Sequence, residues 1–226
     1  MQPSHVTGVL EKVTPNDVGN DAFPFYTWQR IEIGMAKVYA MRISYVGELG
    51  WEIHMTPDVA LAVYDDIFAA GQEYNITPVG LGAMRNMRVE KGYRVWGADI
   101  NTEYNPFEAG MSWLVKLKKK SDFIGKAALS ELKTQALERR LITLAIDDVN
   151  AVVTGNEPVF YQGECISYIT SAGHAYSLGC IVAFAYVPIA QAVQGVELEV
   201  EYLGGRYVAR VIQDVPFDPD NEGMRG

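Results

Sequence analysis

The 226-residue sequence has few of the residues that build disulfide frameworks or metal sites. Its two cysteines, Cys165 and Cys180, are too few for a disulfide scaffold, and both lie in apolar stretches. We therefore predict two reduced thiols, with a bridge between them as the alternative. The three histidines, His5, His54 and His174, are far apart and have no metal-type partner at close spacing. This spacing argues against a metal site.

Basic residues are also scarce. The sequence has 19 Lys and Arg residues against 28 Asp and Glu residues, which gives a net charge of −9. A chain of this charge repels phosphate backbones, so we expect no nucleic-acid partner. The only basic run consists of Lys116, Lys118, Lys119 and Lys120. It is typical of a solvated turn after a strand, and a phosphate or polyanion site is the alternative.

No long hydrophobic run or nucleotide signature is present. The longest apolar run, 180–193, is shorter than a bilayer span and contains Pro188 and Gln191. The first five residues lack the basic start and apolar core of a signal peptide. We expect a cytoplasmic-type location and no membrane partner. The sequence has no Gly-x-Gly-x-x-Gly, and Gly80-Leu81-Gly82 favours helix–strand packing over an anion site.

The spacing of apolar residues predicts two regions with different secondary structure. Up to about residue 137, helical spacing and strand alternation are mixed; afterwards, short alternating segments recur between glycine-rich turns. This change predicts an α+β fold, in which an antiparallel sheet with packed helices precedes a small antiparallel β-barrel or sandwich. The predicted helices are 4–13, 56–74, 80–91 and 123–134. The predicted strands are 30–33, 37–43, 51–55, 113–117, 141–146, 164–170, 196–202 and 207–211.

The most informative segment is 45–52, which reads Tyr-Val-Gly-Glu-Leu-Gly-Trp-Glu. Its two glycines let the backbone approach a flat ligand closely. The Glu52 carboxylate can accept two parallel N–H bonds from a planar donor pair, such as that of a pterin. Tyr45 can stack on such a ring or bond to it. The alternative is a plain hairpin with an exposed Glu52 and a packed Trp51.

This segment resembles the signature of the T-protein family of aminomethyltransferases, and most of all the C-terminal folate domain of dimethylglycine and sarcosine dehydrogenases. Further blocks resemble the family in order and spacing across essentially the whole chain. They are 22–25 (Ala-Phe-Pro-Phe), 88–100, 105–110 (Asn-Pro-Phe-Glu-Ala-Gly), 122–129 and the end of the chain at 218–221 and 225–226. The resemblance implies that 1–136 is the C-terminal portion of the folate-binding domain. It implies that 137–226 is the family's C-terminal β-barrel domain.

The resemblance also implies a ligand and the residues that bind it. Tetrahydrofolate is the implied cofactor. By this resemblance, Glu52 recognises the pterin, and Tyr45 contacts the ring or the tail of the folate. Tyr93 is placed in the folate pocket, and Tyr26 and Arg225 are further candidates.

Two departures from the family pattern bear on the reaction. T-proteins carry Arg-Asp where this chain has Met84-Arg85, which favours the dehydrogenase-type branch. Arg85 and Arg88 are candidates to replace the lost charge, with helix-surface solvation as the interpretation we favour for Arg85. The family's catalytic aspartate belongs to a segment before the equivalent of Met1, so no catalytic residue is assigned to this chain.

Three functions compatible with the resemblance remain open. The first is one-carbon transfer from a methylated amine to tetrahydrofolate, as part or subunit of a dimethylglycine or sarcosine dehydrogenase-like system. A partner chain or domain would then supply the N-terminal half, and FAD would be bound on a separate domain or subunit. The second is a stand-alone aminomethyltransferase, or a methyltransferase with another donor. The third is a non-catalytic folate-binding or interaction module. A eukaryotic source would imply the mitochondrial matrix.

Overall fold

The computed structural model describes residues 5–226, which form two compact units. The first comprises residues up to 85 together with 218–226, and the second comprises 86–217. The helices are α1 (His5–Val13), α2 (Pro57–Gly71), α3 (Leu81–Glu90), α4 (Lys126–Leu132) and α5 (Glu222–Arg225). The strands are β1 (Trp28–Ile33), β2 (Ala36–Met41), β3 (Glu52–His54), β4 (Arg139–Ile146), β5 (Pro158–Tyr161), β6 (Glu164–Ala175), β7 (Cys180–Pro188), β8 (Glu197–Tyr202) and β9 (Gly205–Ile212).

The first unit is built on an antiparallel sheet in the order β1-β2-β3. Alternation along β1 and β2 places Ile31 and Val38 on a buried face, where Leu10 of α1 and Val63 of α2 complete the core. The opposite face is exposed. Gly34 turns the chain between β1 and β2 with a φ of 54°, a conformation that glycine adopts without steric cost. The three predicted strands of this region are confirmed.

Helix α2 begins as the sequence predicts, with Thr56 before it and Pro57 at its first position. It ends at Gly71 instead of Tyr74, and a short 3₁₀ turn follows. A Cβ atom at Gly71 would lie 2.7 Å from the side chain of Ile76. The glycine therefore allows close packing of the chain that returns after the helix, at some cost in helix propensity.

The second unit contains a closed six-stranded antiparallel barrel in the order β4-β7-β6-β5-β8-β9. Its interior is filled by aliphatic side chains such as Leu144, Val159, Ile169 and Leu198. The barrel confirms the predicted fold class. It begins at Arg139, whereas the compact units divide the chain near residues 85 and 217, so the division into 1–136 and 137–226 stays a prediction.

Strand β7 was not predicted because it is buried on both faces. Ile181 and Ala183 point into the barrel, whereas Val182 and Phe184 pack in a separate cluster outside it. A strand covered on both sides has no alternation of apolar and polar residues, so it is a continuous apolar run in the sequence. Strand β5, with four residues, was also missed.

The predicted strand 113–117 is wrong. Residues Ser112–Leu114 form a 3₁₀ turn in which backbone N–H groups bond to carbonyls three residues earlier. Trp113 is 61% exposed, so it has no sheet face to cover. The predicted helix 123–134 is shorter than expected because Gly125, with a φ of 89°, starts it at Lys126.

A buried carboxylate holds the segment after α3 in the second unit. Asp99 is fully buried and accepts hydrogen bonds from the guanidinium of Arg88 (2.7 Å), the hydroxyl of Thr170 (2.7 Å) and the backbone N–H of Val95 (2.9 Å). Its backbone carbonyl accepts a bond from the Tyr186 hydroxyl at 2.9 Å. These bonds satisfy the charge, which would otherwise be costly to bury.

We expect Asp99→Ala to lower the free energy of unfolding by about 3–5 kcal/mol, because it leaves the Arg88 cation buried without its anionic partner. Glu199→Ala is the matched control, since Glu199 pairs with Arg206 at the exposed surface and should cost less than about 1 kcal/mol. Urea unfolding of both variants measures the difference. Equal losses would contradict the assigned role of Asp99.

Candidate functional site

The loop 45–52 connects β2 to β3 in the first unit. Leu49 is buried, and its side chain lies 2.8 Å from where a Cβ atom of Gly226 would be. A Cβ atom on Gly223 would lie 3.5 Å from the carboxylate of Glu48. The loop is therefore not an isolated hairpin, because it packs against the segment 218–226 at the other end of the sequence.

A buried arginine anchors this loop. Arg42 is 1% exposed, and its guanidinium donates to the Phe23 carbonyl (2.7 Å), the Arg225 carbonyl (2.9 Å) and the side-chain oxygen of Asn20 (2.5 Å). It also lies over the indole of Trp51, 5.6 Å from the ring centroid. One side chain thus joins three parts of the first unit that are distant in sequence.

Burial lowers the pKa of Arg42 from the usual value of an arginine, because a low-dielectric interior disfavours the charged form. Its Nε atom and the indole nitrogen of Trp51 are buried without a hydrogen-bond partner among residues 5–226. The three oxygen acceptors and the aromatic face offset this cost. Site prediction from the sequence missed Arg42, although alternation along the predicted strand 37–43 puts it on the same side as Val38 and Ala40, which are buried.

Glu52 is the first residue of β3, and its carboxylate is about half exposed. The sheet register places Glu52 opposite Met41, and Met41 opposite Trp28, at one end of the sheet. The nearest charged or titratable partner is His54, whose ring nitrogen lies 3.4 Å from the carboxylate. Glu52 therefore presents an acceptor on the exposed face of the sheet.

Tyr26 lies at the same end of the sheet as Glu52. Its backbone has a φ of 71° and its N–H donates to the Arg42 carbonyl at 3.0 Å. The side chain is 70% exposed, and its ring meets Phe25 edge-on at 5.3 Å. Tyr45 is half-buried in the loop, and Arg225 is exposed in α5 while its carbonyl is bonded to Arg42.

Tyr93 belongs to the second unit, where it follows α3. Its N–H donates to the Arg88 carbonyl at 2.8 Å, and its own carbonyl accepts from the Arg88 guanidinium at 3.0 Å. Arg88 is thus occupied within the protein, in contrast to the expectation that it could replace a ligand-binding charge. Arg85 is exposed on the helix surface, in line with solvation.

An aromatic stack outside the barrel was also missed. The rings of Tyr104 and Tyr186 are 3.6 Å apart and nearly parallel, and the Arg139 guanidinium lies 4.6 Å from the Tyr104 centroid. Burial, together with a hydrogen bond to Tyr168, raises the pKa of Tyr104 to about 12. Burial also raises the pKa of Tyr186. Tyrosines 82 residues apart carry no local signal of such a stack.

Other site types find no support in the part of the chain that the structure describes. Within residues 5–226, no three His, Cys, Asp or Glu side chains are grouped to hold a metal ion. No helix among these residues is both long and apolar enough to cross a bilayer. Cys165 and Cys180 are both free thiols.

Two domains of one protein family match consecutive parts of the sequence. The GCVT N-terminal domain matches residues 4–119, and the glycine cleavage T-protein C-terminal barrel domain matches residues 139–218. The chain belongs to the glycine cleavage T-protein family. This confirms the resemblance carried by the loop 45–52 and the ordered blocks after it.

Several curated relatives of this T-protein family chain are dehydrogenases. Dimethylglycine dehydrogenase of Homo sapiens is 44% identical over 208 residues, which are 91% of this chain and 24% of that protein. Sarcosine dehydrogenase of Mus musculus is 34% identical over 225 residues, again covering 24% of its length. An aminomethyltransferase of Synechocystis is 33% identical over 94% of this chain and 55% of its own. The chain thus spans about a quarter of the dehydrogenases and about half of the aminomethyltransferase.

The fold also matches a solved member of the family. The aminomethyltransferase T of the glycine cleavage system from Bartonella henselae superposes with a TM-score of 0.82 and 25% identity. The match covers 94% of this chain and 57% of that protein. The sheet and the closed barrel therefore follow the T-protein architecture.

We expect Arg42→Leu to destabilise the protein by about 3 kcal/mol or more, because buried carbonyl groups lose their donor. Amide exchange in 222–226 should accelerate at the same time, since the Arg225 carbonyl is released. Arg30→Leu is the control, because Arg30 lies on the exposed face of the same sheet and should cost about 1 kcal/mol or less. Unchanged exchange at the C-terminus in Arg42→Leu would refute the anchoring role.

The tyrosine stack predicts a loss of stability at alkaline pH. Its raised pKa values favour the protonated phenols in the folded state, so their contribution is complete below about pH 10 and is lost as the pH rises from about 10 to 12. Melting temperatures across this range, with tyrosinate absorbance, measure the loss. Tyr104→Phe should reduce the slope, and a slope unchanged by that substitution would contradict the assignment.

Proposed function

We propose that this chain is the tetrahydrofolate-binding module of a one-carbon transfer system that takes its carbon from a methylated amine. The observation that carries the proposal is the exposed Glu52 carboxylate, which stands at the rim of a loop anchored by Arg42. The donor class follows the names of the relatives that share 44% and 34% identity, which are dehydrogenases of dimethylglycine and sarcosine.

The residues present fit a folate. A pterin is a flat ring with adjacent N–H donors, and a carboxylate accepts such a pair in a bidentate arrangement. Glu52 points outward at the end of the sheet, and the Tyr26 ring lies exposed at the same end. Tyr45 stands in the loop between β2 and Glu52. In the proposal, Arg225 makes a further folate contact, and the role of Tyr93 stays a prediction from the sequence.

The role of this chain is to bind and orient. Tetrahydrofolate, when bound, would supply the nucleophilic nitrogen of the transfer. Glu52 would hold the pterin as an ionised acceptor, which makes it poorly suited to remove a proton as well. Tyr26 and Tyr45 would cover the ring and exclude water. No catalytic residue is therefore proposed within this sequence.

The remaining parts of the reaction are proposed to lie elsewhere in a larger assembly. A partner chain or domain would contribute the acidic group for proton transfer, and FAD would be bound on a separate domain or subunit. The length of the relatives supports this, because this chain covers only 24% of each dehydrogenase. Both dehydrogenases are named as mitochondrial proteins, so the proposal includes the matrix for a eukaryotic source and the cytoplasm otherwise.

A stand-alone aminomethyltransferase is the second candidate. The TM-score of 0.82 to the Bartonella henselae protein, over 57% of its length, favours it. Met84-Arg85, in place of the Arg-Asp of T-proteins, favours the dehydrogenase branch. The two candidates share the same folate site and differ in the donor.

We expect Glu52→Ala to weaken folinate binding by roughly 10–150-fold, because a charge-assisted hydrogen-bond pair contributes about 1.5–3 kcal/mol. Glu52→Gln should also bind weakly, since the amide keeps the shape but loses one acceptor. Glu32→Ala is the control, because Glu32 is exposed on the same sheet and pairs with Lys37. Isothermal titration with folinate measures all four proteins.

Equal affinities of wild type and Glu52→Ala, or no folinate binding by the wild type, would refute the folate site. Adding a methylated amine to the tetrahydrofolate-bound chain, together with a partner that supplies both the flavin domain and the acidic group, then separates the functions that share this site. Formation of 5,10-methylenetetrahydrofolate supports the dehydrogenase system. Binding without transfer supports a non-catalytic module.

A further inference from the structure

A cavity of about 460 Å³ lies within the second unit, among the segments 96–111 and 114–129. Its walls are mainly aromatic and aliphatic, and include Ile100, Met111, Phe123 and Leu129. We propose that this cavity binds a small molecule that combines an apolar body with an anionic group. It uses none of the residues assigned to folate.

The dimensions and the lining of the cavity fit a small-molecule ligand. Ligand pockets commonly enclose about 300–1,000 Å³ and combine apolar walls with a few polar groups. Here the polar groups include Lys116, Lys119 and Asn101. The Asn101 side-chain oxygen already accepts a hydrogen bond from the Glu103 amide at 2.8 Å. The two lysines are the charged residues of the lining.

The positive charge of the cavity is unusual for this protein. The chain has a net charge of −9, and its only basic run contains both cavity lysines. A turn in which the Lys119 N–H donates to the Lys116 carbonyl at 2.9 Å brings the two residues to the same wall. Neither ammonium group has an ion-pair partner among residues 5–226. Only part of the run takes part, because Lys118 and Lys120 do not line the cavity.

The local structure around the cavity also points to a ligand of mixed character. Trp96 and Leu114, which both line it, are 69% and 45% exposed. The Lys126 ammonium donates to the Lys119 carbonyl at 3.0 Å, so a third cation lies beside the turn. An apolar wall next to uncompensated ammonium groups favours a carboxylate, sulfonate or phosphate attached to a ring or a short alkyl chain.

The test uses two probes of the same shape and different charge, 2-naphthoate and 2-naphthalenemethanol, measured by isothermal titration on the full chain. We expect naphthoate to bind the wild type more tightly than the alcohol. The double variant Lys116→Gln/Lys119→Gln should weaken naphthoate binding by about fivefold or more and change alcohol binding by less than about twofold. The matched control, Lys118→Gln/Lys120→Gln, removes the same charge outside the cavity and should leave both affinities within about twofold.

A cavity-filling variant locates the site. Leu129→Trp should abolish binding of both probes while circular dichroism and thermal unfolding show an intact fold. Equal weakening by the two lysine pairs would overturn the proposal, because it would indicate attraction by net charge alone. No binding of naphthoate to the folded wild type at up to about 1 mM, or full binding to Leu129→Trp, would overturn it as well.

Discussion

The buried guanidinium of Arg42 is the interaction on which the first unit depends. A cation in a protein interior is stable only when oxygen acceptors and aromatic faces replace its water. Arg42 obtains them from Asn20, Phe23, Trp51 and the Arg225 carbonyl, which lie in three separate stretches of the chain. These partners fix the loop 45–52 from its inner side. The exposed rim of that loop can therefore present Glu52 in a defined position.

In the second unit, the buried negative charge of Asp99 holds irregular backbone in place, as the positive charge of Arg42 does in the first unit. Asp99 collects donors from α3, from the turn after it and from the barrel strand β6, and the irregular segment between Tyr93 and Ile100 is held by these bonds. Irregular backbone has no ladder to satisfy its polar groups, so a buried side chain has to take over that role. Each unit thus supports irregular chain through a buried charged side chain whose partners come from distant elements.

Elements with a clear local pattern could be predicted from the sequence, and features that depend on distant partners could not. The strands around Gly34 follow directly from alternation, and the helix after Thr56 follows from helical spacing and from Pro57 at its first position. The segment 113–117 has strand-like composition, yet no strand within residues 5–226 pairs with it, and its start belongs to the 3₁₀ turn Ser112–Leu114.

The residues of the candidate site also fall into those with a local sequence signal and those whose role depends on distant partners. Glu52 and Tyr45 were predicted because their segment is a recognisable family motif. Alternation puts Arg42 on the same side of its strand as Val38 and Ala40, but its bond to Arg225 spans 183 residues, and Thr170 is 71 residues from Asp99. A pattern read over short windows cannot identify such partners.

Strand β7 is prone to self-association before the barrel has closed. Both of its faces and both of its edges are covered in the folded state, where β4 and β6 pair with it. In an unfolded or newly synthesised chain, the same residues, 181–187, form an uncharged β-prone stretch of the kind that self-associates. Pro188, which ends the strand, cannot donate to a growing cross-β ladder, and Arg139 lies opposite it in register. The end of β7 thus carries its own safeguard against aggregation during folding.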